Sequence, residues 1–351
     1  MEENPVLIVG AGPTGLALAL FLKHQGVDVR IIDKDEGPGE ASRAMVVQAR
    51  TLEFYEQLNF AERAIERGTK VGVIDLRKQG KPLASLSLGD LGADLSAFPF
   101  ALCFPQDHHE QLLIEELARV GVHVERQTVL IDFKEQDDYI DVTLEKNKIL
   151  ESTQTSYLCG CDGASSTVRH VLNIIFPGGT YQERFFVADI VRKDNGMIAA
   201  DHVNLCMEEA SFCAVLPVRQ SGTERLIGIV PPHLAQKEQL TFEDIRPSVE
   251  KLLGLHVEEM HWFSTYHVHH RVANQFRQGR AFLLGDAAHI HSPAGGQGMN
   301  TGIGDAINLA WKLAGVIKKI NDPKILDTYE TERRAFAMIL VKTTDRVFQG
   351  V

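Results

Sequence analysis

The sequence predicts an α/β protein in which a domain built on a parallel sheet is joined to a mostly antiparallel β lobe. The chain begins with an apolar strand, a glycine turn, an apolar helix and a second strand, which is the start of a βαβ unit. Residues 281–320 repeat the order of strand, glycine-rich loop and helix, whereas residues 176–270 are mostly strand-like with one helix near residues 242–253. The two ends of the chain are therefore expected to form one domain and the middle a second.

The remaining elements follow from apolar spacing and turn residues. Residues 44–66 favour one helix, and residues 71–88 favour a hairpin whose turn lies at residues 79–82. A further helix is predicted from Pro105 to Gly121. Residues 122–159 resemble an antiparallel meander whose last strand is 156–159. The other predicted helices begin near residues 301 and 323.

Composition limits the classes of partner. The chain has 351 residues, 44% of them hydrophobic, and a formal net charge of -11, which disfavours nucleic acid and anionic membrane surfaces. Residues 1–5 lead directly into an apolar strand without the basic segment of a signal peptide, so a cytoplasmic protein is expected. No uncharged apolar run approaches the roughly 18 residues of a spanning helix, so membrane insertion is not expected.

A metal site is not predicted either. The five cysteines are odd in number and contain no C-x-x-C pair, which indicates reduced thiols. The densest histidine cluster, at residues 256–270, has no acidic or cysteine ligand at metal-binding spacing.

The first motif that carries chemistry is Gly10-Ala11-Gly12-Pro13-Thr14-Gly15, a G-x-G-x-x-G pattern between a strand and a helix. In this pattern the first glycine permits the tight turn, the second lets the backbone approach a pyrophosphate, and the third lets helix and strand pack closely. Asp33 ends the second strand, where an acid accepts hydrogen bonds from ribose hydroxyls and repels a 2′-phosphate. The bound nucleotide is therefore predicted to be FAD or NAD.

The far end of the chain favours FAD. A buried strand delivers Gly285-Asp286, and a carboxylate at the end of a parallel strand is well placed to bind a polyol such as a ribityl chain. The glycines that follow let a flat ring lie against bare backbone; they are Gly295, Gly296, Gly298 and Gly302. The next helix directs its positive end toward the negative edge of a reduced flavin. Asp286 is expected to be more buried than Asp33.

Three motifs together resemble the para-hydroxybenzoate hydroxylase family of FAD-dependent aromatic hydroxylases, the group A flavoprotein monooxygenases. They are the glycine pattern at Gly10, the segment Cys161-Asp162-Gly163-Ala164-Ser165-Ser166-Thr167-Val168-Arg169, and Gly285-Asp286 with its proline and glycine loop. The resemblance extends from residue 5 to about residue 340 in the family's order.

The resemblance implies roles for individual residues. Asp286 is expected to bind the ribityl chain, and Asp162 is expected to serve both FAD and a transiently bound nicotinamide nucleotide. Pro293 beside the reactive edge of the flavin and Gly298 at its pyrimidine edge are the positions expected to act at the ring. The residues assigned to FAD are Gly10, Gly12, Pro13, Thr14, Gly15, Asp33, Lys34, Arg43, Gln106, Asp162, Asp286, Pro293, Gly296, Gly298, Met299 and Asn300.

The implied activity is hydroxylation of an aromatic or polyketide-like small molecule through a C4a-hydroperoxyflavin, with O2 and transient NADPH or NADH as co-substrates. FAD is expected to be non-covalent. The resemblance implies a Rossmann-like FAD domain formed by residues 1–75, 100–175 and 271–321, a substrate lobe formed by residues 76–99 and 176–270, and a C-terminal helix at residues 322–351.

Other activities share these motifs. The alternatives are a related flavin-dependent reductase or halogenase, an antibiotic-inactivating monooxygenase, and a non-catalytic FAD-binding protein. The substrate, the choice between NADH and NADPH and the oligomeric state are left open by the sequence. Family members usually continue well past Val351, so a truncated or unusually short member is expected.

Overall fold

A computed structural model describes residues 4–39, 44–78, 80–193, 199, 201–208, 211–218, 223–292 and 296–349, with side chains up to Thr344. The strands of these described residues are β1 Val6–Val9, β2 Val29–Ile32, β3 Val46–Val47, β4 Thr69–Val71, β5 Val73–Lys78, β6 Lys81–Ser87, β7 Ala101–Cys103, β8 Thr128–Glu135, β9 Ile140–Lys146, β10 Ile149–Thr155, β11 Tyr157–Gly160, β12 Gly178–Arg192, β13 His202–Glu208, β14 Ser211–Val218, β15 Thr223–Ile229, β16 Val257–Val272, β17 Arg277–Gln278, β18 Ala281–Leu283 and β19 His289–Ile290. The α-helices are α1 Pro13–His24, α2 Ala49–Glu56, α3 Ala61–Arg67, α4 Leu88–Gly92, α5 Gln106–Arg119, α6 Thr167–Val171, α7 Phe242–Leu253, α8 Gln297–Ile317 and α9 Asp327–Gln349.

Contacts between Cα atoms divide the chain into two compact units. The first consists of Met1–Ser42, Gln106–Gly179 and His270–Thr344, and the second of Arg43–Pro105, Thr180–His269 and Asp345–Val351. The bounds expected from the sequence for the FAD domain and the substrate lobe stay a prediction.

The first unit is built on a five-stranded sheet with the order β17-β18-β11-β1-β2. β1 pairs in parallel with β2 and with β11, and β11 pairs in parallel with β18. Helix α1 contacts both α5 and α8 and is buried from Gly15 to Leu22, which explains why its sequence is apolar on every side. A separate meander has the order β10-β9-β8.

One strand of the predicted meander belongs elsewhere. The apolar run near residue 157 was expected as the last antiparallel strand, but as β11 it lies between β1 and β18 in the parallel sheet. Strand β10 takes the third place in the meander. An apolar run of four residues fits either kind of strand, so its place depends on contacts with β1, which is about 150 residues earlier in the chain.

The second unit contains a larger sheet in which the strands follow the order β16-β12-β15-β14-β13-β5-β6. One face packs on α7 through Phe186, Cys213 and Val215, and the other packs on Met45 and Val71 near the small β3-β7-β4 sheet. The pair β13 and β5 is parallel, whereas β14 is antiparallel to both its neighbours. The predicted helix near residues 242–253 is α7.

The single helix expected over residues 44–66 is wrong. The segment forms β3, α2 and α3, and Asn59 between the two helices has a φ of +59°, outside the helical region. Tyr55 and Phe60 stack at 4.4 Å between ring centroids and hold this break. None of the helices in the described ranges is long and apolar enough to span a bilayer.

Candidate cofactor site

The turn after β1 is shaped by three glycines with different surroundings. A Cβ on Gly10, whose φ is +102°, would lie 2.3 Å from the carbonyl oxygen of Cys161, and a Cβ on Gly15 would lie 2.0 Å from that of Gly10. An added Cβ on Gly12 would have nothing within 4 Å. Gly12 caps α1, and Pro13 follows at the first helical position. Gly10 and Gly15 therefore serve the packing of the turn, whereas Gly12 borders open space beside the first amides of α1.

Asp33 follows β2 and lies against the same turn. The amide of Ala11 donates to Asp33 Oδ2 at 2.6 Å, and the amide of Asp35 donates to Oδ1 at 2.8 Å. A carboxylate has about four acceptor positions, so two remain for a ligand. Lys34 is exposed. Asp33 thus holds the glycine turn through the amide of Ala11 and keeps further acceptor positions.

Two further charged residues, Glu110 and Arg126, lie near Asp33. Gln106 begins α5 and donates to Glu110 Oε1 at 2.8 Å. Glu110 is only 4% exposed; burial raises its pKa, and the guanidinium of Arg126 opposes that rise. Arg126 Nη1 lies 3.8 Å from Asp33 Oδ1, and Nη2 is buried with no hydrogen-bond partner in the part of the chain that the structure describes. Sequence reasoning named Gln106 but missed Glu110, one helical turn later, and Arg126, for which no motif gave a signal.

The loop after β11 carries Asp162. Asp162 Oδ2 accepts from the amide of Val168 at 3.1 Å, at the start of α6. Burial raises the pKa of Asp162, and this amide opposes the rise. The other oxygen, Oδ1, is buried and has no hydrogen-bond partner among the described residues. A buried acceptor of this kind indicates a place for a ligand or water.

Arg169 connects this loop to the turn that follows β18. Its Nη2 donates to the carbonyl of Ala164 at 2.8 Å, and its Nη1 donates to the carbonyl of Ala287 at 3.0 Å. The guanidinium also stacks on the ring of Phe176, with 4.1 Å from Cζ to the centroid. The two motifs are therefore neighbours although more than 100 residues separate them.

Thr14, in the glycine turn after β1, lies against the turn after β18. A Cβ on Gly285 would lie 2.7 Å from Thr14 Oγ1, and a Cβ on Gly302 would lie 2.3 Å from the same atom. Gly285 also has a φ of +57°, which favours glycine. α1, the turn after β18 and α8 thus meet at backbone distance, and this contact requires glycine at both positions.

A buried hydrogen-bond network around Asp305 supports the Gly285 turn. Asp305 is fully buried; its Oδ2 accepts from Gly285 N at 3.1 Å and from His289 Nε2 at 2.6 Å, and its Oδ1 accepts from Arg333 Nε at 2.6 Å. Burial acts to raise the pKa of Asp305, but His289 and Arg333 hold it below its usual range. Sequence reasoning missed Asp305 and Arg333, because neither belongs to a motif that it used.

Asp286 is exposed, whereas Asp33 is partly buried, so the expectation that Asp286 is the more buried acid is wrong. The reason lies in the turn itself. Asp305 and the carbonyl of Gly285 hold the turn's amides toward the interior, and the side chain of Asp286 is directed outward.

Helix α8 begins with a left-handed cap. Gly296 has a φ of +63° and precedes Gln297, and Asn300 Nδ2 donates back to the Gly296 carbonyl at 2.8 Å. Met299 Sδ lies 3.3 Å from Nδ1 of the buried His109 in α5. The first turn of α8 has no acidic residue, so its positive end is not neutralised by its own side chains.

Most of the predicted site residues fall in the first unit. These are Gly10, Gly12, Pro13, Thr14, Gly15, Asp33, Lys34, Gln106, Asp162, Asp286, Gly296, Gly298, Met299 and Asn300. Arg43 and Pro293 lie outside the described residues. The described part of the chain contains no group of three histidine, cysteine, aspartate or glutamate side chains arranged to hold a metal ion.

The sequence matches the FAD binding domain family over residues 3–344, and the chain belongs to that family. A relative, 6-methylpretetramide 4-monooxygenase from Streptomyces rimosus, is 36% identical over 330 residues, which cover 93% of this chain and 58% of that enzyme. Rifampicin monooxygenase from Rhodococcus hoagii is 32% identical over 347 residues, covering 97% of this chain and 70% of that enzyme. The chain thus spans less than two thirds of the length of the first relative.

A solved structure resembles the whole fold. The crystal structure of p-nitrophenol 4-monooxygenase from Pseudomonas putida DLL-E4 has a TM-score of 0.87 and 25% identity, covering 98% of this chain and 88% of that one. These likenesses confirm the α/β fold class, the similarity to FAD-dependent aromatic hydroxylases and FAD as the cofactor of the family.

Proposed function

We propose that this protein is an FAD-dependent monooxygenase that uses NAD(P)H and O2 to hydroxylate an aromatic or polyketide-like small molecule. The observation that carries the proposal is the convergence of three distant motifs in one unit. Thr14 contacts the positions of Gly285 and Gly302, and Arg169 joins the Asp162 loop to the turn after β18. The relatives act on a pretetramide, on rifampicin and on p-nitrophenol, as their names state.

The residues of this site suit FAD in four places. Open space at Gly12, beside the amides of α1, suits a pyrophosphate. The outward carboxylate of Asp286 suits a ribityl chain, and Asp33 suits the adenosine ribose. The buried Oδ1 of Asp162 offers an acceptor to the cofactor or to a passing nucleotide. In this proposal Lys34, Arg43, Gln106, Pro293 and the segment Gly296–Asn300 complete the contacts.

The chain's own contribution is orientation and electrostatics. FAD, when bound, would accept the hydride that NAD(P)H donates and supply the oxygen chemistry. The positive end of α8 faces the place proposed for the flavin's pyrimidine edge, and such an end stabilises a negative charge by about 0.3 to 1 kcal/mol at exposed sites. Asp305 accepts hydrogen bonds from Gly285 and His289 and forms an ion pair with Arg333, and these contacts keep the neighbouring turn fixed, so the site needs little rearrangement as charge develops.

The nicotinamide nucleotide is proposed to bind only briefly. The sequence contains one G-x-G-x-x-G pattern, which is assigned to FAD, and no second one. A short-lived complex lets oxidation of NAD(P)H depend on the presence of the aromatic substrate.

A monooxygenase that inactivates an antibiotic is the second candidate, favoured by the 32% identity to rifampicin monooxygenase. It differs from the first only in its substrate. Assays of NAD(P)H oxidation against simple phenols, anthracycline-type polyketides and rifampicin would separate the two.

The test is NAD(P)H oxidation by the FAD-loaded protein with and without each aromatic compound, together with transfer of label from 18O2. We expect slow oxidation alone, marked stimulation by the correct aromatic and one labelled oxygen atom in the product. A rate that is already fast without any aromatic, with no label transferred, would indicate a flavin-dependent reductase. FAD binding without oxidation of NAD(P)H under any condition would indicate a non-catalytic FAD-binding protein.

A further inference from the structure

His291, directly after β19, has one ring nitrogen committed to the backbone. It is only 9% exposed, and its Nδ1 lies 2.9 Å from the carbonyl oxygen of Ser292. Burial lowers the pKa of His291 to about 4, so the imidazole is neutral near pH 7. Since a carbonyl only accepts, Nδ1 carries the proton and Nε2 carries a lone pair.

That lone pair is buried and unused by the protein. Nε2 has no hydrogen-bond partner among the described residues. The edge of the ring that bears it lies beside Gly298, where a Cβ would be 3.9 Å from Cε1 and 4.0 Å from Nε2. A buried acceptor without a partner is unfavourable, so a ligand or water that donates a hydrogen bond is expected at this point.

The surroundings define the chemistry of that ligand. Gly298 is in the first turn of α8, where the backbone amides have no acceptor within the helix. The groups near His291 are His289, stacked at 6.4 Å between ring centroids, and Asp305, which is already paired with His289 and Arg333. The site thus combines several N–H donors with one neutral acceptor. A cyclic imide, with an N–H between two carbonyls, matches this pattern, whereas a phenolate or carboxylate has no hydrogen to donate.

We propose that His291 is a cofactor-binding residue whose Nε2 accepts a hydrogen bond from the N3–H of the flavin ring. This proposal rests on one part of the proposed function, namely that the pyrimidine edge of bound FAD would lie at the start of α8. In oxidised flavin N3–H is the only ring N–H, and it lies between the two carbonyls that the α8 amides would bind. His291 would then accept a hydrogen bond from the imide N–H, and the first amides of α8 would donate to the two imide carbonyls.

The test compares FAD binding by three variants. His291→Leu removes the acceptor, His291→Gln replaces it with an amide oxygen, and His24→Leu removes an exposed histidine at the far end of α1 as the control. Loss of one hydrogen bond predicts about 3- to 10-fold weaker FAD binding for His291→Leu, partial recovery for His291→Gln and no change for His24→Leu. With FAD labelled with 15N at N3, the N3 resonance should move in His291→Leu toward its position without a hydrogen bond.

A wild-type measurement does not depend on the folding of a variant. In protein labelled with 15N in histidine, addition of FAD should shift the Nε2 resonance of His291 as the lone pair gains a partner. An unmoved Nε2 resonance, or unchanged N3 resonance and FAD affinity in folded His291→Leu, would overturn the inference. Weakened binding of an aromatic ligand with unchanged FAD binding would also overturn it, since the acceptor would then face the substrate. Failure of the wild type to bind FAD would instead refute the FAD site and the proposed function.

Discussion

Substituting alanine at Gly12 and at Gly15 should separate cofactor binding from folding. A Cβ on Gly15 would lie 2.0 Å from the Gly10 carbonyl oxygen, whereas carbon and oxygen atoms in contact are normally about 3.3 Å apart. The backbone must move by about 1 Å, and because both partners are held in the βα turn we expect a loss of about 3 kcal/mol in the free energy of unfolding.

Gly12→Ala should leave stability nearly unchanged. Gly12 has a φ of -76° and a ψ of -179°, which alanine adopts without strain, and an added Cβ there has nothing within 4 Å. Alanine is a poorer helix cap than glycine but loses less chain entropy on folding, so the two effects should cancel to within about 0.5 kcal/mol. The methyl group would occupy the space proposed for the pyrophosphate. Loss of one charge-assisted contact, about 1.5 to 3 kcal/mol, predicts at least about tenfold weaker FAD binding.

Both quantities are measurable on the apo-protein, by urea denaturation and by quenching of FAD fluorescence. The wild type and Gly12→Ala should share a denaturation midpoint but differ in affinity, while Gly15→Ala should unfold at lower urea. Tight FAD binding by Gly12→Ala, or wild-type stability of Gly15→Ala, would refute the assignment of these two roles.

Four other substitutions test the site and the residues around it. Asp286→Ala should weaken FAD binding about tenfold in a fluorescence titration. Its free energy of unfolding should stay within about 0.5 kcal/mol of the wild type, because Asp286 is exposed, whereas Asp33→Ala should also loosen the glycine turn. Equal FAD binding by both variants and the wild type would count against the site. Asp305→Leu should lower the free energy of unfolding by about 3 to 5 kcal/mol in urea, since it leaves buried partners unpaired, and a milder loss would show that the network is not needed. Burial lowers the pKa of His109 to about 3, below that of the unfolded chain, so the unfolded chain binds the proton first and stability falls as pH drops from about 6.5 toward 3. Between pH 7 and 5 this amounts to about 2 kcal/mol, which His109→Leu should abolish in denaturation curves recorded at the two pH values.

The elements that sequence could predict are those whose determinants are local. The strand, glycine turn and helix at the start of the chain are specified within about 25 residues, and α7 is specified by apolar spacing and a capping box at Thr241. β11 was misplaced because its neighbours, β1 and β18, are distant in the chain and its apolar run suits either kind of sheet.

The residues of the site likewise differ in whether their determinants are local or distant in the chain. Motif residues such as Gly15 and Gly285 could be named because part of their requirement for glycine is local: Gly15 packs on the carbonyl of Gly10, and Gly285 has a φ of +57°. Arg126 and Asp305 could not, because their positions acquire meaning only through partners elsewhere in the chain. Asp305, for example, meets Arg333 at a separation of 28 residues.

A crystal structure of the protein with FAD is the most direct test of the central claim, that the three motifs form one FAD site. We expect the pyrophosphate at Gly12 and the first amides of α1, the ribityl chain within hydrogen-bond distance of Asp286, and the pyrimidine edge at the start of α8. Electron density for FAD elsewhere on the chain would contradict this expectation. So would the absence of FAD density under conditions in which the protein quenches FAD fluorescence.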